Sequence, residues 1–278
     1  MHWSKPLDVL RAEALNPEAV SHWFGLVEEL VIKRGIKPSN IYGMDESGFQ
    51  LSFNTKQRVV GRKGAKVQHK QGHTDRENVT VIVTICANGT YLHPTIIFKG
   101  ANFISTNMHS LCHSPNGWID SELALDWFRN DLLPHIRAKT EDEPCAVFVD
   151  SQVTHLTLEL LELASSNGVE ILAYPTRTTH ALQGLDVVCF ARMKEIYPEE
   201  VNKFTELHGR KVRKGDFAGV FGKAFLRAFT EENILAAFRA TGIHPFNPSV
   251  ISESQMKPSE PTAIRGSFPM VQPSPVKA

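Results

Sequence analysis

Hydrophobic positions recur along this chain at two spacings, and each spacing predicts a different kind of element. Over residues 17–34 apolar side chains fall every three or four positions, which predicts an amphipathic helix. Residues 79–86 are β-branched almost throughout and predict a strand. The Asn-Gly pair at 88–89 predicts a tight turn, and residues 91–98 supply the returning strand of a hairpin.

The second half of the chain predicts a strand, a helix and a strand in quick succession. Residues 145–149 are apolar on both faces, as in a strand that helices cover on both sides. A helix over 156–166 and a strand over 169–174 complete a βαβ unit. Two later helices are predicted over 185–197 and 217–241. The fold class expected from these patterns is α/β, a mixed sheet flanked by helices.

Composition limits the classes of function. The chain has 278 residues, of which 42% are hydrophobic, and its 30 Lys and Arg balance its 30 Asp and Glu. A nucleic-acid partner would therefore have to be bound by local basic patches. No apolar run approaches the roughly 20 residues of a membrane helix, so no membrane partner is expected. The four cysteines form no Cys-x-x-Cys pair, which predicts free thiols in a reducing compartment, and the absence of a glycine-rich phosphate loop predicts no nucleotide cofactor.

Three aspartates occupy positions from which carboxylates can converge. Asp45 follows a short apolar run over 41–44, Asp150 ends the strand over 145–149, and Asp186 lies at the start of a predicted helix. Adjacent strands are about 5 Å apart, so acids at their ends can share a cation such as Mg²⁺ or Mn²⁺. Capping of strand ends and helix starts explains isolated aspartates equally simply.

Six groups of residues, read in order, resemble one known family. The resemblance lies with the catalytic domain of DDE-superfamily endonucleases, in particular the pogo-like and mariner-type transposases, a group related to the centromere-protein-B-like proteins. It covers roughly residues 13–248. The segments that carry it are 40–49, 76–81, 94–100, 117–119 with 126–128 and 133–134, 175–186, and 238–248.

The resemblance implies an RNase H-like fold and a catalytic set of Asp45, Asp150 and Asp186 that holds two Mg²⁺ or Mn²⁺ ions. In the family these ions serve to cut transposon ends and join them to target DNA. The implied partner is thus DNA, the implied state a homo-oligomer on DNA, and the implied location the nucleus. The residues expected around the three acids are Glu46, His155 and His180.

A glycine-containing basic stretch is the candidate DNA contact, because cations there can neutralise phosphates without reading sequence. The alternative interpretation is that this stretch is an ordinary solvated loop. The predicted DNA-binding residues are Lys56, Arg58, Arg62, Lys63, Lys66 and Lys70. The predicted domains are a helical remnant of a DNA-binding region with its linker over 1–37, the catalytic domain over 38–247, and a Pro- and Ser-rich disordered tail over 248–278.

The sequence departs from the family pattern beside two of the acids. Ser151 and Gln152 replace the usual glycine and histidine after the second acid, and Gly184 replaces a proline before the third. Both departures are expected to weaken what holds the aspartates. A residue larger than glycine beside Asp150 is expected to crowd the site, the missing histidine to remove a contact to the scissile phosphate, and Gly184 to loosen the helix start. The alternative function is therefore a catalytically decayed or domesticated DNA- or chromatin-binding protein.

Overall fold

A six-stranded mixed sheet forms the centre of the protein. The computed structural model describes residues 8–52, 77–100, 111–114, 116–140, 143–152, 156–256 and 259. Within these residues the strand order is β4-β3-β2-β1-β5-β6. The strands are β1 (Ile41–Gln50), β2 (Asn78–Cys86), β3 (Thr95–Lys99), β4 (Leu111–Ser114), β5 (Cys145–Val149) and β6 (Val169–Ala173).

Helices cover both faces of the sheet, as the sequence predicts. They are α1 (Val9–Ala14), α2 (Pro17–Val27), α3 (Ser121–Trp127), α4 (Leu133–Thr140), α5 (Leu158–Ser165), α6 (Thr179–Leu182), α7 (Phe190–His208), α8 (Lys214–Ala228), α9 (Glu231–Ala240) and α10 (Glu253–Met256). We call the side that packs on α2, α7, α8 and α9 the first face. The second face packs on α3, α4 and α5.

Strand β1 is longer than the apolar run that predicts it, because two neighbours support different parts of it. Its parallel pairing with β5 covers residues 41–43, whereas its antiparallel pairing with β2 covers residues 42–50. Backbone hydrogen bonds to β2 therefore continue the strand through its polar second half. The sequence places Asp45 after the strand, and this is wrong: Asp45 lies within β1, opposite Val83.

The hairpin after β2 forms at its predicted turn, but its returning strand is interrupted. Gly89 has the positive φ of 90° that a tight turn needs. Tyr91 makes an isolated bridge to Ile85, and regular pairing resumes only at Thr95. Pro94 has no backbone N–H to contribute to a ladder, which accounts for the interruption of the predicted strand over 91–98.

The predicted βαβ unit is confirmed by β5, α5 and β6. The two strands run parallel over their full length, with Cys145 beside Val169. The Thr157 side chain accepts a hydrogen bond from the Leu160 N–H and caps the start of α5. Gly168, with φ of 67°, provides the turn into β6.

The two late helices have different boundaries from those predicted. A π-helical segment (Leu185–Cys189) leads into α7, which runs past Pro198 to His208 because buried side chains on both sides of the proline hold it against α8. The single helix predicted over 217–241 is two helices. Thr230 accepts a hydrogen bond from the Asn233 N–H and starts α9 afresh.

Helix α2 packs into the core of the sheet. The Trp23 side chain is fully buried, and its ring centroid lies 5.8 Å from that of Phe148 and 5.0 Å from that of Tyr174. The helix before residue 38 therefore shares the first face with the predicted catalytic domain. The domain boundary there remains a prediction.

The chain also packs beyond residue 247, where the sequence predicts a disordered tail. Ile251 is buried in the first-face core, and α10 follows it. Residues 257–258 and 260–278 lie outside the described residues. Among the helices of the described ranges, none combines the length and the apolar character that a bilayer crossing requires.

Replacement of Trp23 tests whether α2 is part of this core. We expect Trp23→Ala to lower the free energy of unfolding by about 3–5 kcal/mol, because it leaves a cavity against two aromatic rings. Leu26→Ala on the same helix is the control, since Leu26 is 40% exposed and should cost about 0.5 kcal/mol or less. Urea unfolding measures both; equal, small losses would show that α2 is a dispensable appendage.

Candidate functional site

The strand register brings Asp45 and Asp150 to equivalent positions on neighbouring strands. Gly43 of β1 pairs with Phe148 of β5 in parallel register. Asp45 lies two residues beyond Gly43, and Asp150 lies two residues beyond Phe148. Parallel strands are about 4.8 Å apart, so this register directs both acids to the same side of the sheet just past the last paired residues.

All three predicted acids lie on the first face of the sheet. Side chains alternate along a strand, and Phe49 and Phe148 both belong to the first-face core. Asp45 and Asp150 share the alternation of those phenylalanines. Asp186 belongs to the segment Leu185–Cys189, whose buried Leu185 and Cys189 pack into the same core.

Electrostatic repulsion links the three acids. Asp45 is only 7% exposed, and burial is the main reason that its pKa is well above the usual value. The Asp186 carboxylate raises this pKa further, with smaller contributions from Asp150 and Glu46. The Glu46 backbone N–H, which donates to Asp45 Oδ1 over 2.8 Å, acts in the opposite direction. Burial and the neighbouring carboxylates therefore disfavour the ionised form of Asp45.

Tyr174 borders the same group of acids. Burial raises the pKa of its hydroxyl, and the carboxylates of Asp45 and Asp186 raise it further. Tyr174 follows β6 directly and also contacts Trp23 of α2. Its place beside the acids was not predicted, because a tyrosine after an apolar strand has no sequence signal that distinguishes it from a core aromatic.

Asp150 is held by a local turn. The Gln152 N–H donates to Asp150 Oδ1 over 3.0 Å, and the Gln152 residue is exposed. The Ser151 hydroxyl donates to Thr176 Oγ1 over 3.4 Å, which ties this turn to the loop after β6. The two departures from the family pattern therefore take part in the local structure that orients Asp150.

Gln183 connects the first acid to the third. Its side chain is 2% exposed, and its Nε2 donates to the backbone oxygen of Met44 over 3.4 Å. Met44 precedes Asp45, and Gln183 lies three residues before Asp186. A buried amide between two acid-bearing segments is a positioning contact that was not predicted, although its place close to Asp186 was a usable signal.

Gly184 permits close packing of the third acid's segment. A Cβ on Gly184 would lie 2.6 Å from the Ala237 carbonyl oxygen of α9, far inside van der Waals contact. From sequence alone this glycine is expected to loosen the helix start. The structure gives another reason for it: Gly184 has φ of −61°, an ordinary helical value, and it lets α9 approach directly.

The residues predicted to surround the three acids do not all lie beside them. His180 lies on α6, and its pKa is lowered mainly by burial and then by Arg11, against a smaller raising effect of Asp186. Glu46 shares the alternation of Met44 and so faces the second side of β1. His155 lies outside the described residues. The same holds for the six predicted DNA-binding residues, Lys56, Arg58, Arg62, Lys63, Lys66 and Lys70.

Arg177 is a further residue of this region that was not predicted. It is exposed in the loop between β6 and α6, and it has φ of 65°, in the left-handed region that non-glycine residues seldom adopt. The Thr178 hydroxyl donates to the Pro175 carbonyl over 2.6 Å and stabilises this turn. Sequence gives no signal for such a conformation at an arginine.

The chemistry of the three acids fits a hard divalent cation. Carboxylate oxygens are the ligands that Mg²⁺ and Mn²⁺ prefer, and a cation would relieve the repulsion that raises the Asp45 pKa. In the described part of the chain, no three His, Cys, Asp or Glu side chains stand close enough to form a ready-made metal group. The acids share a face without forming a closed cage.

The fold is of the RNase H-like class and matches solved transposase catalytic domains. The chain aligns with the catalytic domain of Mos1 mariner transposase with a TM-score of 0.55 and 11% identity, covering 92% of this chain and 98% of that one. It also aligns with the Mos1 mariner paired-end complex with Mn (TM-score 0.59, 11% identity, 95% of this chain and 66% of that one). At this identity the likeness concerns the fold.

The sequence profile of the DDE superfamily endonucleases matches residues 76–238, more than half of the chain. The chain belongs to this family, and the resemblance in its sequence motifs is confirmed at this level. The matched range includes Asp150 and Asp186 and begins after Asp45.

Curated relatives match this chain over part of their own length. The chain is 28% identical to the MFS-type transporter clz9 of Cochliobolus lunatus, over 79% of this chain and 25% of that protein. It is 27% identical to the Jerky protein of Mus musculus, over 66% of this chain and 34% of that one, and 26% identical to the Jerky protein homolog of Homo sapiens, over 60% and 31%. The chain thus spans a quarter to a third of these relatives.

Substitution of Gly184 tests the close packing against α9. We expect Gly184→Ala to lower the free energy of unfolding by about 1–3 kcal/mol, because the added methyl group overlaps a backbone oxygen. Gly184→Pro, which introduces the residue usual in the family, should be no more stable than Gly184→Ala. Ala237→Gly should not rescue Gly184→Ala, since the nearest atom belongs to the main chain.

Gly219→Ala is the matched control. Gly219 lies inside α8 with nothing within 4 Å of its added Cβ, so this change should stabilise the protein by about 0.5–1 kcal/mol. Thermal and urea unfolding give both values. A stabilising effect of Gly184→Ala equal to that of Gly219→Ala would contradict the packing argument.

Proposed function

We propose that this chain is the catalytic domain of a transposase-type DNA endonuclease that cleaves DNA strands and joins them to target DNA. The observation that supports this function best is the placement of Asp45, Asp150 and Asp186 on one face of an RNase H-like sheet, with Asp45 buried beside the other two acids. Simple capping, the alternative for isolated aspartates, does not account for three repelling acids on one face.

The three acids are proposed to hold two Mg²⁺ or Mn²⁺ ions. When bound, these ions would activate a water or a 3′-hydroxyl and stabilise the leaving oxygen of the phosphodiester. The protein's part is to orient the carboxylates: the Glu46 N–H holds Asp45, the Gln152 N–H holds Asp150, and Gln183 ties the Asp186 region to β1. Burial of Asp45 keeps bulk water from this carboxylate.

DNA is the proposed partner. The solved Mos1 structures include a paired-end complex with the left transposon end and a strand transfer complex. By analogy we propose that this chain binds DNA as a homo-oligomer, in the nucleus, and belongs to the pogo-like branch. The proposed phosphate contacts are Lys56, Arg58, Arg62, Lys63, Lys66 and Lys70.

A second candidate function is a DNA- or chromatin-binding protein without catalysis. The residues that favour it are Ser151, Gln152 and Gly184, which differ from the family pattern beside two of the acids. Such a protein would retain the fold and the acids without cleaving DNA. Metal binding and nicking separate the two candidates.

Calorimetric titration of Mn²⁺ is the first test. We expect binding to the parent chain and an affinity at least about tenfold weaker in Asp45→Asn, Asp150→Asn and Asp186→Asn, since each removes a charged ligand while nearly preserving its shape. Glu206→Gln, which removes an exposed acid of α7, is the control and should bind as the parent does.

Nicking of supercoiled DNA in Mn²⁺ completes this test. The catalytic proposal requires nicking by the parent and none by Asp150→Asn. Equal nicking by the two proteins would contradict it. Mn²⁺ binding without nicking would favour the non-catalytic candidate, and a folded parent that binds no Mn²⁺ would overturn the metal assignment.

The basic stretch makes a separate prediction. We expect the double variant Lys63→Ala and Lys66→Ala to weaken binding of random-sequence duplex DNA and to reduce the slope of log affinity against log salt by about 2, one for each phosphate that is no longer neutralised. Lys194→Ala with Lys223→Ala, two exposed cations of α7 and α8, is the charge-matched control. An identical slope in the two double variants would assign Lys63 and Lys66 to ordinary surface.

A further inference from the structure

Trp118 is an exposed tryptophan in the loop that leads into α3. Its side chain is 46% exposed, whereas Trp23 is fully buried and Trp127 is 6% exposed. Trp118 is thus far more exposed than these two core tryptophans. Exposure of so large an apolar ring is costly, by about 25 cal/mol per Å², so the arrangement needs an explanation.

The backbone around Trp118 is held in place. Asn116 Oδ1 accepts hydrogen bonds from the Trp118 N–H over 3.0 Å and from the Ser114 hydroxyl over 2.6 Å. Gly117 has φ of 80°, and its carbonyl accepts from the buried Thr80 hydroxyl over 2.7 Å. The ring is therefore presented by an ordered turn, which lowers the entropy cost of binding.

Trp118 forms one wall of a polar cleft of about 390 Å³. The remaining lining residues are Glu77, Asn78, Lys99, Asn116 and Gly117. Lys214 of α8 contacts two of these lining residues: its Nζ lies 2.7 Å from Glu77 Oε1 and donates to the Lys99 carbonyl over 2.9 Å. An aromatic wall with amide and ammonium groups around it suits a flat polar ring, and the volume falls within the usual range of ligand clefts.

The cleft lies close to the acids along β1. The end of the Trp118 ring is 3.6 Å from the position of a Cβ on Gly48, three residues beyond Asp45. Three residues of strand span about 10 Å, a distance that a DNA strand covers in two or three nucleotides. Gly48 faces the second side of β1 whereas the acids lie on the first, so a strand that reaches both must pass β1 beyond Gly43, where the pairing with β5 has ended.

We propose that Trp118 stacks on an unpaired DNA base within a few nucleotides of the bond that the acids cleave. The base must be unpaired because a base inside a duplex offers no free ring face, whereas an aromatic side chain stacks on an exposed one with little sequence preference. The proposal rests on the proposed function for its choice of DNA, and it adds a single-stranded feature to the substrate.

Fluorescence anisotropy of labelled duplexes tests this proposal in EDTA, where no cleavage interferes. The full chain is titrated into a blunt duplex, a duplex with a three-thymidine overhang, and the same duplex with an abasic overhang. We expect the parent to bind the thymidine overhang about tenfold more tightly than the abasic one. Trp118→Leu should remove this ratio without changing affinity for the blunt duplex, and Trp118→Phe should retain part of it.

Leu207→Ala is the control, since Leu207 of α7 is a 78% exposed apolar residue outside the cleft. A thymidine-to-abasic ratio that survives Trp118→Leu, or that is absent in the parent, would overturn the Trp118 proposal alone. Tighter binding of a three-uridine RNA overhang would overturn the assignment to DNA. Failure of the parent to bind any duplex would contradict the proposed function itself.

Discussion

The parallel pairing of β1 with β5 is the constraint on which the candidate site depends. It covers residues 41–43 of β1 and ends just before the acids. If the register were displaced by one residue, Asp45 and Asp150 would face opposite sides of the sheet, because side chains alternate. Hydrophobic burial on both faces sets that register: Phe148 must enter one core, and Val147 and Val149 must enter the other. The apolar residues of β5 thus determine where its terminal acid lies.

The same arrangement places charge where it is unfavourable. Asp45 lies in a strand between β2 and β5, whose residues are almost all buried, and the second half of β1 persists through its hydrogen bonds to β2. A sheet optimised for stability alone would place an apolar residue at that position. Retention of a buried acid beside two others is typical of functional sites, where local destabilisation is tolerated because the rest of the core compensates.

Much of the fold could be predicted from sequence, because local patterns determine it. The βαβ unit over residues 145–174 has short apolar strands, a capping threonine and a glycine turn, and each signal is local. The errors arose where distant packing decides. Helix α7 passes Pro198 because its far half is buried, and β1 extends past its apolar run because β2 lies beside it. The three aspartates were identifiable from their positions and motifs. Tyr174 was not, and Gln183 offered only its closeness to Asp186 in the sequence, since the roles of both depend on contacts between remote segments.

The packing of α2 has a consequence for the acids. Trp23 contacts Tyr174, and Tyr174 in turn borders Asp45 and Asp186. Tyr174 therefore lies between α2 and the acids. A displacement of α2 would be transmitted to the ring of Tyr174 through direct packing. The orientation of α2 and the surroundings of the acids are in this sense mechanically coupled.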